Sequence, residues 1–257
     1  MKAVILAGGL GTRISEETHL RPKPMIEIGA KPILWHIMKI YSSYGINDFI
    51  ICAGYRAYII KEYFMNYYMH QSDVTFDIKN NNYTIHNNNS ENWKVTIVDT
   101  GCNNMTGSRV KQIHKYVQDD EHFCMTYGDG ISDINITKSI EFHKSHGKLA
   151  TVTAVKSSAR FGILDIENNK VNSFKEKPND KHDWINGGFF VLSQKIFNYL
   201  PDNIDLVFEK EPLQNLAMDG EMMSFKHEGF WQSMDTLRDK TLLEGVWESN
   251  EAKWKIW

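Results

Sequence analysis

Short apolar runs alternate with amphipathic segments along the first part of the chain. Residues 3–7 form an apolar run that ends at glycine, and 48–53 form a second one, as expected of central strands buried on both faces of a parallel sheet. The segments 33–41 and 57–69 carry apolar residues at helical spacing. This order of strands and helices predicts an α/β fold with a Rossmann-like, doubly wound mixed sheet.

Residues 71–98 interrupt the alternation. Strand-like segments at 74–76 and 94–98 flank two polar stretches rich in asparagine, at 80–82 and 87–89. A linker between domains is one interpretation of these stretches, but runs of three asparagines are more typical of turns. We therefore predict a β-hairpin insertion over 71–98.

The rest of the pattern favours a single domain over residues 1–257, with a distinct C-terminal part from about residue 150. Three tryptophans near the end, Trp247, Trp254 and Trp257, are interpreted as packing or subunit contacts. The further predicted elements are helices over 106–117, 137–146 and 236–248 and strands over 122–127 and 150–155.

The composition argues against a nucleic-acid-binding, a disulfide-stabilised and a membrane-spanning protein. Lys and Arg number 29 against 32 Asp and Glu, with no basic block, so nucleic acid is not an expected partner. Cys52, Cys102 and Cys124 are widely spaced and odd in number, which argues against a disulfide framework and favours the reducing cytoplasm. No apolar stretch is long enough for a membrane span, so no membrane partner is expected either.

The strongest chemical signal directly follows the first strand. Glycines there would let backbone amides approach phosphate oxygens, and the arginine could bind two oxygens at once, which indicates a triphosphate site. A tight turn without a ligand is the alternative. The segment lacks the Gly-Lys-Ser/Thr of a Walker loop, so it is not one. It does not match the dinucleotide-binding fingerprint either, because Ile14 stands where that motif needs glycine. The segment reads Leu6-Ala7-Gly8-Gly9-Leu10-Gly11-Thr12-Arg13.

Three charged residues stand in positions suited to phosphate chemistry. Lys23 lies between two prolines that restrict its backbone, and it is either a phosphate ligand or a solvated turn lysine. Asp129 ends a predicted strand, where open α/β sheets bind ligands, so it is a candidate magnesium ligand. Asp235 precedes the last helix, and its position is compatible with an N-cap or with a metal ligand.

These motifs resemble those of the sugar nucleotidylyltransferases, and the resemblance spans nearly the whole chain. It implies the nucleotide-diphospho-sugar transferase type of fold, with the sugar-binding part from about residue 150. The motifs that carry it are the glycine segment above, Pro22-Lys23-Pro24-Met25, Tyr127-Gly128-Asp129-Gly130, Arg160-Phe161-Gly162, Phe174-Lys175-Glu176-Lys177-Pro178, Ile185-Asn186-Gly187-Gly188-Phe189-Phe190 and residues 230–239.

The resemblance implies a role for each motif. Magnesium would be held by Asp129 and Asp235, and catalysis would use Arg13, Lys23 and Lys177. Gly162, Glu176, Lys177 and Asn186 would bind the hexose and its phosphate. The alternative for the charged run 174–178 is a solvated strand end without a ligand. Ser108 stands where the family has a second glycine, which affects the local backbone path. The implied nucleotide-binding residues are the segment Leu6 to Arg13, Lys23, Asn104, Thr106, Arg109, which could reach a base edge or phosphate, and Gly128.

The implied reaction is a magnesium-assisted transfer of CMP from CTP to α-D-glucose 1-phosphate, which gives CDP-glucose and pyrophosphate. Use of UTP or dTTP is one alternative. A non-catalytic regulatory subunit that binds sugar nucleotides is another, since a fold alone does not establish function. The resemblance also implies a homo-oligomer, with a hexamer as the expected form.

Overall fold

A mixed sheet is the centre of the protein in the computed structural model, which describes residues 1–156, 163–167, 169–175 and 184–257. Within these residues the sheet has nine strands, in the order β10-β14-β12-β11-β13-β8-β1-β4-β7. In chain order the strands are β1 (Ala3–Ala7), β2 (Glu27–Ile28), β3 (Lys31–Pro32), β4 (Asp48–Ala53), β5 (Ser72–Asp77), β6 (Asn82–Asn88), β7 (Lys94–Asp99), β8 (His122–Tyr127), β9 (Gly130–Ser132), β10 (Ala150–Lys156), β11 (Ile163–Glu167), β12 (Lys170–Lys175), β13 (Trp184–Ser193), β14 (Met222–His227) and β15 (Trp231–Ser233).

The parallel half of the sheet brings four strand ends together. β1 pairs in parallel with β4 on one side and with β8 on the other, and β7 extends this half beyond β4. All five residues of β1 are buried, as predicted from their uninterrupted apolar run. The carboxyl ends of these strands therefore share one edge of the sheet, where the loops that follow them meet.

Helices cover both faces of the sheet, so the predicted doubly wound α/β fold is confirmed. Ile5 of β1 packs into an apolar cluster with α2 and α8, whereas Val4 packs into a second cluster with α4 and α7 on the opposite face. The α-helices are α1 (Ser15–Thr18), α2 (Ile33–Ser42), α3 (Ala57–His70), α4 (Thr106–Gln112), α5 (His114–Val117), α6 (Ile136–His146), α7 (Glu211–Met218) and α8 (Leu237–Glu248).

The predicted hairpin is shorter than 71–98. β5 and β6 do pair antiparallel, with Phe76 opposite Tyr83. Lys94–Asp99, however, pairs in parallel with β4 and is the edge strand of the main sheet, so the prediction was wrong for 94–98. An edge strand is half exposed and is flanked here by polar residues, which gives it the sequence pattern of a hairpin strand.

Two further features bear on predictions from the sequence. The predicted helix over 106–117 is divided, since α4 ends at Gln112 and α5 begins at His114. Among the residues that the structure describes, no helix has both the length and the apolar character to cross a membrane.

Trp254 is packed inside the protein and is fully buried. Its ring stacks on Phe230 with centroids 5.3 Å apart and on Trp247 at 6.2 Å. Its indole nitrogen lies 3.4 Å from Nδ1 of His36, whose Nε2 lies 2.8 Å from the Ile28 carbonyl oxygen. Burial lowers the pKa of His36 to about 4, so the neutral ring donates through Nε2 and accepts through Nδ1.

We expect Trp254→Ala to lower the free energy of unfolding by about 3–5 kcal/mol, because it removes a fully buried aromatic ring and leaves a cavity. Urea denaturation followed by circular dichroism measures this loss. Lys253→Ala, at an exposed neighbouring position, is the control and should change stability by less than about 0.5 kcal/mol. Equal stability of the two variants would contradict the packing role.

Candidate active site

A cavity of about 510 Å³ opens at the shared carboxyl edge of the parallel strands. It extends from the loop after β1 across the end of β8 to the start of β13. Most residues predicted for ligand binding line it: Leu6, Ala7, Gly8, Gly9, Gly11, Thr12, Arg13, Lys23, Asn104, Thr106, Arg109, Gly128, Asp129, Asn186 and Asp235. Leu10 lies on the same loop but is 49% exposed and is not among the lining residues. Gly162, Glu176 and Lys177 fall outside the described residues.

The glycines of the loop after β1 differ in backbone conformation and in the space around them. Gly11 has a φ of 66°, a left-handed conformation that favours glycine. A Cβ on Gly8 would lie 2.0 Å from the guanidinium of Arg109, so any other residue there would displace this hydrogen-bonded side chain. A Cβ on Gly9, in contrast, would meet no atom within 4 Å. The protein's own packing therefore explains Gly8 and Gly11, and only Gly9 leaves open space that a ligand could approach.

Arg109 binds the protein's own backbone. Its side chain is buried, and its guanidinium donates to the carbonyl oxygens of Gly8 at 2.9 Å and Gly101 at 2.7 Å and to the hydroxyl of Thr100 at 2.8 Å. One fork thus ties the loop after β1 to the loop after β7. These bonds use Nη1 and Nη2, so a contact of either nitrogen with a base or phosphate would compete with them.

Lys23 stands between the two predicted metal ligands. Its ammonium lies 2.6 Å from Oδ2 of Asp129 and 2.7 Å from Oδ1 of Asp235. Burial lowers the pKa of Lys23, but the two carboxylates more than offset this and raise it above its ordinary value. Burial likewise raises the pKa of Asp235, yet Lys23, and after it Arg13, bring it below the usual value. Lys23 and Asp235 are therefore both charged at neutral pH.

Two observations locate Asp235 and Arg13 more closely. The N-cap of α8 is Thr236, which forms a capping box with Asp239, so the alternative of Asp235 as the N-cap is wrong. The Asp235 carboxylate turns instead to the cavity, where Arg13 approaches Oδ1 at 3.2 Å. The Arg13 side chain is 70% exposed and can therefore leave this pair to bind a ligand at little cost.

The donor set fits magnesium. Asp129 and Asp235 converge on one cation, the Lys23 ammonium, which occupies the position between the two carboxylates. Magnesium is commonly held by one or two carboxylates, with waters and substrate phosphates as its other ligands. Within the described part of the chain no cluster of three or more such side chains exists, so a site here would need oxygens from water or phosphate as well.

The far side of the cavity carries the polar side chains of Asn186 and Tyr127 and the carboxylate of Glu209. Asn186 accepts a hydrogen bond from the Gly188 amide at 2.8 Å, and its Nδ2 lies 3.4 Å from the phenol oxygen of Tyr127. Tyr127 donates to Glu209, which sequence analysis missed. Glu209 lies in a turn before α7 and carries no motif, so the sequence offered no signal for it.

The chain is similar in sequence to known nucleotidyl transferases. The model of the nucleotidyl transferase family matches residues 2–241. The chain belongs to this family. It is 58% identical over its full length to the glucose-1-phosphate cytidylyltransferase of Salmonella typhi, with 100% of both chains covered. It is 44% identical, again over both full chains, to a Bacillus subtilis protein named probable glucose-1-phosphate cytidylyltransferase.

A solved structure gives the same fold. The crystal structure of HddC from Yersinia pseudotuberculosis superposes on this nucleotidyl transferase with a TM-score of 0.75 at 27% identity. The superposition covers 96% of this chain and 99% of HddC.

In this nucleotidyl transferase, we expect Lys23→Met to raise the affinity for Mn²⁺ by about tenfold in the absence of nucleotide. The ammonium within hydrogen-bonding distance of both carboxylates competes with any other cation there. Titration of free Mn²⁺ by electron paramagnetic resonance measures the change. Lys94→Met removes a lysine that is 76% exposed and should leave the affinity unaltered. Unchanged or weaker binding in Lys23→Met would contradict the competition.

We expect Arg109→Lys to weaken nucleoside triphosphate binding by about ten- to a hundredfold, because a single ammonium cannot bind the Gly8 and Gly101 carbonyls as a fork does. Equilibrium dialysis with labelled nucleotide measures the affinity, and circular dichroism checks the fold. Arg238→Lys changes an exposed arginine and serves as the matched control. An affinity equal to that of the control would mean that the loop holds its shape without Arg109.

Proposed function

We propose that this chain transfers CMP from CTP to α-D-glucose 1-phosphate, giving CDP-glucose and pyrophosphate. The observation that carries the proposal is the 58% identity over the whole chain to a protein named for that activity. The cavity supports it independently, since Arg13 and Lys23 at one end can bind phosphates and the hydrogen-bonding side chains at the other, Asn186 and Glu209, can bind hexose hydroxyls.

The proposed chemistry is a single in-line displacement. An oxygen of the glucose 1-phosphate attacks the α-phosphorus of CTP, a new P–O bond forms, and the bond to the β-phosphate breaks to release pyrophosphate. The attacking phosphate is already ionised at neutral pH, so no general base is assigned. Catalysis then consists of positioning the two substrates and offsetting the charge of their phosphates.

The side chains divide this work. Arg13 and the amide of Gly9 would bind the leaving β- and γ-phosphates, since one is exposed and the other borders open space. Lys23 would leave its carboxylate partners for the α-phosphate, where negative charge develops. Magnesium, held by Asp129 and Asp235, would offset phosphate charge at that point.

The remaining assignments come from the family resemblance. Lys177 would bind the attacking phosphate, and Gly162, Glu176 and Asn186 would bind the hexose. Asn104, Thr106 and Gly128 would contact the nucleotide. We also propose that the protein forms a homo-oligomer, with a hexamer as the expected form, and that it is located in the cytoplasm.

Two alternatives have less support. Transfer from UTP or dTTP would use the same phosphate chemistry, but the full-length similarity to named cytidylyltransferases favours CTP. A non-catalytic regulatory subunit would have no need for charged groups gathered at one point. Here three ion pairs connect Arg13 to Asp235, Asp235 to Lys23 and Lys23 to Asp129.

Pyrophosphate release tests the proposal. With glucose 1-phosphate and magnesium present, we expect release with CTP to exceed release with UTP, dTTP or ATP by at least about tenfold. Asp129→Asn keeps the shape of the side chain but removes its charge, and it should reduce release with CTP by about a hundredfold or more. Equal release with another nucleotide would contradict the base preference, and no release with any would favour the regulatory subunit.

A further inference from the structure

Glu209 is a carboxylate held rigidly at the cavity wall. One of its oxygens accepts a hydrogen bond from the phenol of Tyr127, and the other accepts from the Thr106 hydroxyl at 2.6 Å. Thr106 is itself fixed, because its oxygen accepts from the Phe208 amide at 2.9 Å. The carboxylate therefore has one orientation before any substrate arrives.

Both neighbours of Glu209 act as donors. Burial, and next the negative charge of Glu209, raise the pKa of Tyr127 well above its ordinary value, so the phenol keeps its proton. A carboxylate has about four acceptor positions, of which Tyr127 and Thr106 fill two. Since Glu209 lines the cavity, the remaining positions are available to a ligand that donates a hydrogen bond.

The charge of Glu209 disfavours phosphate as that ligand. Among the residues that the structure describes, no lysine or arginine forms an ion pair with Glu209. A phosphate in direct contact with this carboxylate would be repelled by it. A neutral donor, such as a hydroxyl or an amine, meets an acceptor that is already in place.

Asn186 indicates which neutral donor fits. Its Nδ2 approaches the same phenol oxygen of Tyr127, and its Oδ1 is held by the Gly188 amide, so the orientation of the amide is fixed. The cavity wall thus presents an acceptor, Glu209, and a donor, Asn186, on the two sides of one tyrosine. Neighbouring hydroxyls of a sugar ring, each of which both donates and accepts, match such a pair.

We propose that Glu209 determines specificity for the sugar substrate by accepting a hydrogen bond from one hydroxyl of the hexose ring. This inference rests on the proposed function, because it assumes that a hexose 1-phosphate occupies this side of the cavity. Glu209 takes no part in the displacement at phosphorus. Its contribution is to bind a hexose that carries the hydroxyl more tightly than one that lacks it.

The test compares wild type with Glu209→Gln, which keeps the shape and removes the charge. Values of kcat/KM are measured for glucose 1-phosphate and for its 2-, 3-, 4- and 6-deoxy analogues at saturating CTP. In the wild type we expect kcat/KM for one deoxy analogue to be about ten- to a hundredfold lower than for glucose 1-phosphate. In Glu209→Gln we expect this difference in kcat/KM to shrink to about twofold. The KM for CTP should stay within about twofold.

Glu211→Gln, two positions along and exposed, is the matched control and should keep the wild-type pattern. Two results would overturn the inference. One is an equal loss of kcat/KM for the deoxy analogues in wild type and Glu209→Gln. The other is a rise in the KM for CTP while the order of kcat/KM among the sugars is unchanged, which would place the contact at the nucleotide.

The proposed function is judged separately, by wild-type turnover. If another nucleotide is preferred, the same series is run with it. If no turnover occurs, calorimetric binding of the five sugar phosphates gives the same comparison.

Discussion

The ammonium of Lys23 joins three segments that are far apart in the chain. It binds Asp129, which follows the central strand β8, and Asp235, which precedes the last helix. With Arg13 beside Asp235, the group holds two positive and two negative charges and is neutral as a whole. This pairing lets Lys23, Asp129 and Asp235 be partly buried together, since none of them is left without a partner of opposite charge. This contact therefore joins the start of α8 to the strand ends, in addition to the apolar packing of Leu243 and the bond from the Gly29 amide to Glu244.

The same neutrality explains why the site suits phosphate transfer with a divalent cation. A triphosphate brings several negative charges, and the cluster in this state has no surplus positive charge to offset them. Lys23 can serve a phosphate only by leaving the carboxylates, and the carboxylates then need another cation. A divalent cation and a polyphosphate satisfy both demands at once, whereas either alone would leave like charges facing each other.

Arg109 illustrates what a sequence motif does and does not specify. Its place near the nucleotide-binding segments was predicted, and it does line the cavity. Its guanidinium, however, is occupied by carbonyl oxygens of two loops, which could not be foreseen because the loops approach each other only in the folded sheet. A fork with several donors is suited to gathering backbone carbonyls as well as to binding phosphate, and only the tertiary structure distinguishes the two uses.

The strands could be predicted wherever burial alone sets the pattern. β1, β4 and β8 have the predicted limits, because their inner positions are buried on both faces and are apolar or small. β7 was assigned to the hairpin because an edge strand has one half-exposed side and resembles a hairpin strand. Lys23 and Asp129 were predicted from their places between prolines and at a strand end, and the metal role of Asp235 came from the family resemblance. The contact of Lys23 with both carboxylates was not predicted.

Glu209 shows the opposite case, in which no local rule applies. A glutamate in a turn is ordinarily solvated, and nothing in its neighbours along the chain marks it as a cavity residue. Its role arises from Thr106 and Tyr127, which are about a hundred residues away in sequence and reach it only across the sheet edge. The cavity therefore differs between its two ends, with ion-paired side chains at one and a fixed acceptor at the other. Such a division orients a ligand that is a polyanion at one end and a neutral polyol at the other, because exchanging the two ends would place phosphate against an unpaired carboxylate.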